Sequence, residues 1–432
     1  MRTLDGDAAR NATWWSLRSF RSRLTAIVIA GALLRSVVLA YRWGRPLRMN
    51  DSLWYSFTAT GLRHGRFFHS ILTGGPTAEH PPLAAVLMAP LSFLSDPVQG
   101  QRLTTTLFGI ALVALIGLLG RRIGGPTMGL IAAAIAAVYP NLWTHDGLVM
   151  AESIAMVLIV GWMLAVLHLL DRPTWRRAAL VGALAGLAAL TRSELGLLAV
   201  AGLVAVVWHS RSRAAVLRAA AMALVTAAVL LPWTVVNVAR FDSPVLLTTN
   251  DGTTLLGSYC DDVFSGGDKG GWSLFCVLGG PEPSGDDSVR SAQQRRWALS
   301  YARQHVSQLP GIVVARVARA LDLYGLHDVV HGDVGEDQQR TAVWAGIVCW
   351  WILAPLACWG VRRLRRRDRA VVLVPVAIVF ATTVAFYGSH RLRAPLEPSL
   401  VLLAAAALTG WLREGRTTPG DDESTRLAST NL

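Results

Sequence analysis

Apolar runs near twenty residues long recur through this chain, and arginines close most of them. A helix needs ~20 apolar residues to cross the hydrocarbon core of a bilayer. In lipid the backbone must satisfy its own hydrogen bonds, so only helices and closed barrels cross. Runs of this kind lie at about 24–42, 103–120, 126–143, 150–170, 215–233, 342–360, 370–388 and 395–412. A longer one at 178–208 is split by Thr191-Arg192-Ser193-Glu194. Composition agrees: of 432 residues, 53% are hydrophobic and 16% charged, against ~25% charged in a soluble domain. The expected fold is an all-α polytopic membrane protein. It has about ten or more transmembrane helices, outer-side juxtamembrane helices and an extracytoplasmic loop region.

The formal net charge is +13, and Lys269 is the only lysine. No basic stretch is interleaved with base-stacking aromatics, so no nucleic-acid partner is expected. Basic residues of membrane proteins collect in cytoplasmic loops, which makes sidedness testable on paper. Residues 1–23 are polar, hold Arg18, Arg21 and Arg23, and lack a small-residue cleavage pattern; this segment is expected to be cytoplasmic, ahead of a retained first helix. Residues 24–42 then run outward, and 43–80 form a first outer loop. Alternating from there, Arg121-Arg122, Arg172 with Arg176 and Arg177, Arg211–Arg218 and Arg362–Arg367 all fall inside. Residues 24–235 make a transmembrane core, 236–340 an extracytoplasmic segment, 341–412 the C-terminal helices and 413–432 a disordered cytoplasmic tail. Ser52–Arg66 reads as an amphipathic helix on the membrane, with Leu53, Phe57 and Leu62 on one face. Pro82–Leu94 is short for a span and reads as a juxtamembrane or re-entrant helix; a full span is the alternative, and it would shift every later parity.

Four features resist this sorting, and all fall on the outer side. They are Asp51, the pair Asp146 and Glu152, the pair Arg192 and Glu194, and His390-Arg391-Leu392-Arg393. A cation cluster at the outer interface needs an anionic partner, and the planar arginine fork matches phosphate oxygens. Pairing with Glu397 or with lipid headgroups is the plainer alternative for Arg391 and Arg393. Asp51 alone reads equally well as a solvated loop acid. His80 precedes Pro81-Pro82, which hold the preceding backbone extended; it is either aimed by them or a bystander at a helix start. Glu79 and His80 are adjacent candidates for a divalent metal ion. Cys260 and Cys276 lie in the outer segment, where an oxidising exterior and an even count favour a disulfide, worth ~3 kcal/mol by chain entropy. Cys349 and Cys358 read as packed free thiols. The stretch 308–325 reads as an amphipathic helix packed on the spans, with Val313, Val317 and Leu321 on one stripe and Arg316 and Arg319 off it.

An acid in the first outer loop, Pro81-Pro82-Leu83, Val149-Met150-Ala151-Glu152 and a late Arg391-Leu392-Arg393 before Pro395 together resemble the GT-C superfamily of membrane glycosyltransferases. The branch is that of protein O-mannosyltransferases and the aminoarabinose transferase acting on lipid A. The resemblance covers most of residues 24–412 and rests on the order and sidedness of short motifs. The Cys260–Cys276 stretch, with Gly270-Gly271-Trp272 before the second cysteine, is similar to actinobacterial members of that branch.

The resemblance implies an inverting transfer of a sugar from a polyprenyl-phosphate donor to an extracytoplasmic acceptor: a cell-envelope glycan, a lipid or a protein. By position Asp51 matches the first-loop catalytic acid and Glu152 the second acidic position, with Asp146 beside it. His80 matches a position near the donor phosphate, and Arg391 and Arg393 match the late basic motif, with Arg192 added as a further phosphate ligand. Mannosyltransferases often carry Asp-Glu in the first loop; Ser52 after Asp51 points away from protein mannosylation. No glycine-rich phosphate loop is present, so no nucleotide donor is expected. The expected location is the plasma membrane, multi-pass and among lipids, with the site on the extracytoplasmic face. A lipid or solute transporter or flippase is the alternative from another class. The split at 191–194 suits its broken helices, but the chain lacks the internal repeats common in transporters.

Overall fold

A computed structural model describes residues 4–48, 50–71, 73–280 and 284–414, with side chains from Ser19 to Leu412. The tail expected at 413–432 lies outside the described residues from Gly415 on. The described residues form helices and no strand, apart from one isolated bridge between His69 and Pro76. Seven helices are long and apolar enough to cross a membrane: Ser19–Arg42 (the apolar part of Leu4–Arg42), Pro97–Gly124, Glu152–Asp171, Arg213–Arg240, Arg340–Val361, Arg366–Ala385 and Arg391–Leu412. Pro126–Val138, Ser193–His209 and Trp175–Ala189 are shorter apolar segments.

The two ends of the bundle differ in chemistry. At one, Asp171 pairs with Arg122 and, at 2.8 Å, with Arg367, tying the ends of three helices together. Arg177 donates to the carbonyls of His168 and Arg172 at this same end. The opposite end holds the starts of Asp51–Arg63 and Glu152–Asp171 and the turns before Leu197–His209 and Glu397–Glu414. Glu152–Asp171, apolar all round and 72% buried over its apolar window, packs between Pro97–Gly124 and Trp175–Ala189 as a central helix of the bundle. The first helix is only 17% buried over its window and presents Ile29, Leu33 and Val37 outward, as a lipid-facing helix must. A side chain at Gly360 would put its Cβ 1.8 Å from the Leu403 carbonyl, so two C-terminal helices meet backbone to backbone.

Four expectations are refined here. Pro82–Leu94 is two short turns, Leu83–Met88 and Pro90–Phe93, too short for a full span. Arg213–Arg240 runs through Pro232 instead of stopping there. Trp233 and Thr234 donate to Leu247 and Leu246 carbonyls at 2.7 and 3.0 Å and anchor the turn beyond the proline. Asp51–Arg63 packs Trp54, Tyr55, Thr58 and Ala59 inward, while Phe57 faces outward and Leu53 and Leu62 are half-buried. In Leu309–Ala320 the buried stripe is the arginine one. Arg316 donates to the Ser258 and Val384 carbonyls, both at 2.8 Å, and lies over the Tyr259 ring. Arg319 donates to the Lys269 carbonyl and to Asp328. Buried carbonyls with no helix partner need donors, and arginine brings several.

The segment 236–340 is a cap of short helices. Asn250–Leu256 packs on Asp287–Gln304, Cys260 and Cys276 form a disulfide, and Gly388 donates to the Gly270 carbonyl at 2.9 Å. That last bond ties the cap to the loop carrying Arg391.

Candidate active site

Asn50 caps the first-loop helix: its side chain accepts from the Ser52 amide at 2.9 Å, which leaves Asp51 as the first helical residue. A carboxylate there is favoured by the helix dipole. Trp54, Tyr55, Phe68 and Trp233 form an aromatic cluster beneath it, and the His80 ring stacks on Tyr55 with centroids 5.0 Å apart. The Leu83 amide donates to Leu190 O and the Thr249 amide to Ala78 O, which pins the backbone on both sides of His80. His80 Nε2 then lies 3.6 Å from Asp51 Oδ1.

Arg391 is the hub. Its Nη2 meets Asp51 Oδ2 at 2.7 Å, its Nε meets Glu152 Oε1 at 2.7 Å, and its Nη1 meets Glu336 Oε1 at 3.0 Å. Arg192 shares Glu152 Oε1 at 3.0 Å and holds Glu194 at 2.6 Å. Asp51, His80, Glu152, Arg192, Glu194 and Arg391, with Glu79, Tyr55 and Tyr387, line a cavity of about 380 Å³. A second cavity of about 390 Å³ lies against the same Arg391 and Tyr387, and Trp272, Asp268, His331, Asp333 and Glu336 line it.

The charges are coupled. Burial pushes the Asp51 carboxyl up, but Arg391 and then His80 outweigh it and hold the group well below the usual carboxylate range. Burial pulls the His80 imidazole down, and Asp51 more than restores it, leaving it above its ordinary value. Glu336 is raised, first by burial and then by Asp51 and Glu152, against the pull of Arg391. Burial lifts the Tyr387 hydroxyl to about 12, so it stays a hydrogen-bond donor.

Asp51, Glu152, His80, Arg192 and Arg391 therefore converge. Two residues expected with them stand elsewhere. Arg393 is fully buried, paired with Asp322 at 2.7 Å and Glu397 at 2.8 Å, and covered by the Trp350 ring. Asp146 is paired with Arg35 at 2.7 Å and accepts from Ser153. Its space exists because residue 109 is glycine; a Cβ there would lie 2.0 Å from the Asp146 carboxylate. Neither lines the cavity. Glu79 and His80 fit a metal poorly: among the described residues no three His, Cys, Asp or Glu side chains are grouped to hold an ion, and His80 faces an Asp51 already held by Arg391. Glu336 and Tyr387 were not anticipated. Glu336 lies in Gly335-Glu336-Asp337-Gln338, a polar run that reads as any solvated loop.

Residues 79–235 match the family described as dolichyl-phosphate-mannose-protein mannosyltransferase. The oligosaccharyltransferase of Archaeoglobus fulgidus, in its apo form, superposes with a TM-score of 0.59 at 14% identity, over 93% of this chain and 51% of that one. The likeness to that structure is one of fold. The archaeal protein in complex with an inhibitory peptide and a dolichol-phosphate gives a TM-score of 0.56 at 14% identity, over 90% and 50%. This chain thus spans about half the length of that protein. ArnT from Cupriavidus metallidurans bound to undecaprenyl phosphate gives 0.44 at 14% identity, over 90% of this chain and 78% of that one. No curated protein matches this chain in sequence.

Proposed function

We propose that this enzyme moves a sugar from a polyprenyl phosphate to a hydroxyl on an extracytoplasmic acceptor, with inversion at the anomeric carbon. One observation carries the reading: a single guanidinium, that of Arg391, holds Asp51 on one corner while facing two cavities. An acceptor in the first cavity gives its proton to Asp51 as its oxygen bonds the anomeric carbon. The bond from that carbon to the phosphate oxygen breaks on the opposite side, and its electron pair leaves with the lipid phosphate. The acceptor proton becomes acidic as the new bond forms, so a carboxylate held low still serves as base; such help is typically worth 10²–10⁴-fold. Arg391 takes up the charge growing on the phosphate. His80 and Arg192 act one step away: His80 orients Asp51, and Arg192 holds Glu152 in place for Arg391.

The dolichol-phosphate bound by the archaeal relative supports a lipid-phosphate donor. The arginine-rich end of the bundle is opposite the cavity, and the positive-inside rule supports an extracytoplasmic site. The acceptor is a cell-envelope glycan, lipid or protein, and Ser52 after Asp51 speaks against protein mannosylation. A divalent ion, if one is used, would be held by Asp51 and His80, 3.6 Å apart, with Glu79 beside them. The transporter reading has no observation in its favour, because the titratable groups converge at one end instead of stepping across the bundle. The test is sugar transfer from undecaprenyl-phosphate donors in proteoliposomes. Wild type should transfer and Asp51→Asn should not, while still binding undecaprenyl phosphate. Undiminished transfer by Asp51→Asn, or none by wild type across hexose and pentose donors, sinks the reading.

A further inference from the structure

Three carboxylates on one guanidinium are more than its charge can neutralise. If Arg391 is to receive a lipid phosphate, as proposed above, the anion meets Asp51, Glu152 and Glu336 already in place. Like charges gathered at one site cannot all stay ionised and close. One of the three must give way, and the geometry separates them. Glu152 is buried at the start of the central helix and has Arg192 as a second partner. Asp51 begins a helix and has His80 as a second partner. Glu336 has Arg391 alone as an ion-pair partner, and its side chain is 26% exposed where that of Glu152 is 1%.

The backbone around Glu336 is fixed, so the side chain can move without it. Arg48 donates to Val334 O at 2.9 Å and Asn50 to Gly335 O at 3.1 Å. On the other side Asp337 sits among Arg42, Arg48 and Arg102 at 3.6–3.9 Å. Glu336 lines the second cavity, across Arg391 from the space where Asp51 meets it.

We propose that Glu336 is a displaceable counter-ion, which holds the Nη1 corner of Arg391 and yields it to the phosphate of the polyprenyl donor. The base and the leaving group then occupy two corners of one guanidinium: Asp51 on Nη2 from the first cavity, the phosphate on Nη1 from the second. Base and leaving group are then held on separate nitrogens of one side chain, each reached from its own cavity. Glu336 thereby sets donor specificity, because only a ligand that carries its own negative charge replaces what it displaces.

The experiment is binding of undecaprenyl phosphate to the full chain in nanodiscs, with the neutral undecaprenol as control. Glu336→Gln keeps shape and removes charge; Glu336→Ala removes the side chain. Both should bind undecaprenyl phosphate about tenfold tighter than wild type, the scale of one removed like-charge contact, with undecaprenol affinity unchanged. In transfer assays the donor KM should fall more than kcat changes. A merely structural Glu336 would weaken binding when replaced, and equal or weaker binding by both variants overturns the proposal. If at the same time Arg391→Gln weakens wild-type binding, the functional reading stands and only the role of Glu336 falls. Absence of undecaprenyl phosphate binding by wild type and variants alike overturns both.

Discussion

Arg391 and Arg393 stand two residues apart on one short turn, Arg391–Leu396, and each is tied to carboxylates on distant elements. The side chain of Arg393 is 0% exposed: Asp322, Glu397, the Ala320 carbonyl and the Trp350 face occupy it on every side. Arg391 is 17% exposed, and two of its three carboxylates, Asp51 at 33% and Glu336 at 26%, are themselves open to a cavity. Counting ion pairs does not separate the two. What separates them is whether the partners close the guanidinium off or leave it facing space that a ligand fills. A fully enclosed arginine fixes how helices meet; one walled by partly exposed carboxylates leaves a face that a ligand can reach.

The largest expected effect is on the Arg391 side. Asp51→Asn should lower transfer by about 10²–10⁴-fold, with a fall in the thermal unfolding midpoint in detergent smaller than that of Arg393→Met; a collapse of the midpoint instead would make Asp51 structural, as Arg393 is. Next, Arg393→Met strands Asp322 and Glu397, a loss of ~3–5 kcal/mol seen as a lowered unfolding midpoint, while whatever folds keeps wild-type donor affinity. Lost donor affinity at wild-type stability would erase the contrast. Arg391→Lys keeps the charge but not the fork; donor KM should rise about tenfold with a smaller change in stability.

The smallest effect is on pH. The imidazole of His80 is raised in the fold, so its contribution is full below the ordinary value of ~6.5 and is lost as pH rises through the raised one. Asp51 is lowered, so its contribution is full above ~3.9 and is lost only as pH falls through the lowered value. The midpoint should therefore slip on the alkaline side of the imidazole range, and His80→Gln should flatten that slope by less than about 1 kcal/mol.

Much of this was legible in the chain. Apolar runs closed by arginines mark the long helices of the bundle, because lipid enforces both signals at once. Asp51, Glu152, Arg192 and Arg391 could be gathered because each is a charge at a place where the bundle turns. The arrangement around them could not. Arg393 and Asp146 look like their neighbours in sequence, and only the packing of Trp350 and Gly109 shows them enclosed. Glu336 is invisible because a polar run before a span is common, and nothing local links it to a loop 285 residues away. Arg316 and Arg319 read as the solvent face of an amphipathic helix until the carbonyls they satisfy are seen.

The shared oxygen of Glu152 has a consequence for biogenesis. Arg192 follows Glu152 by 40 residues and Arg391 by 239. At the ~5–20 residues per second of synthesis, Arg391 emerges roughly 10–50 s after Glu152. During that interval Arg192 is the cation that can accompany a carboxylate at the head of the central helix into the membrane. Its loss should register first in how much protein is inserted, before any catalyst exists to assay.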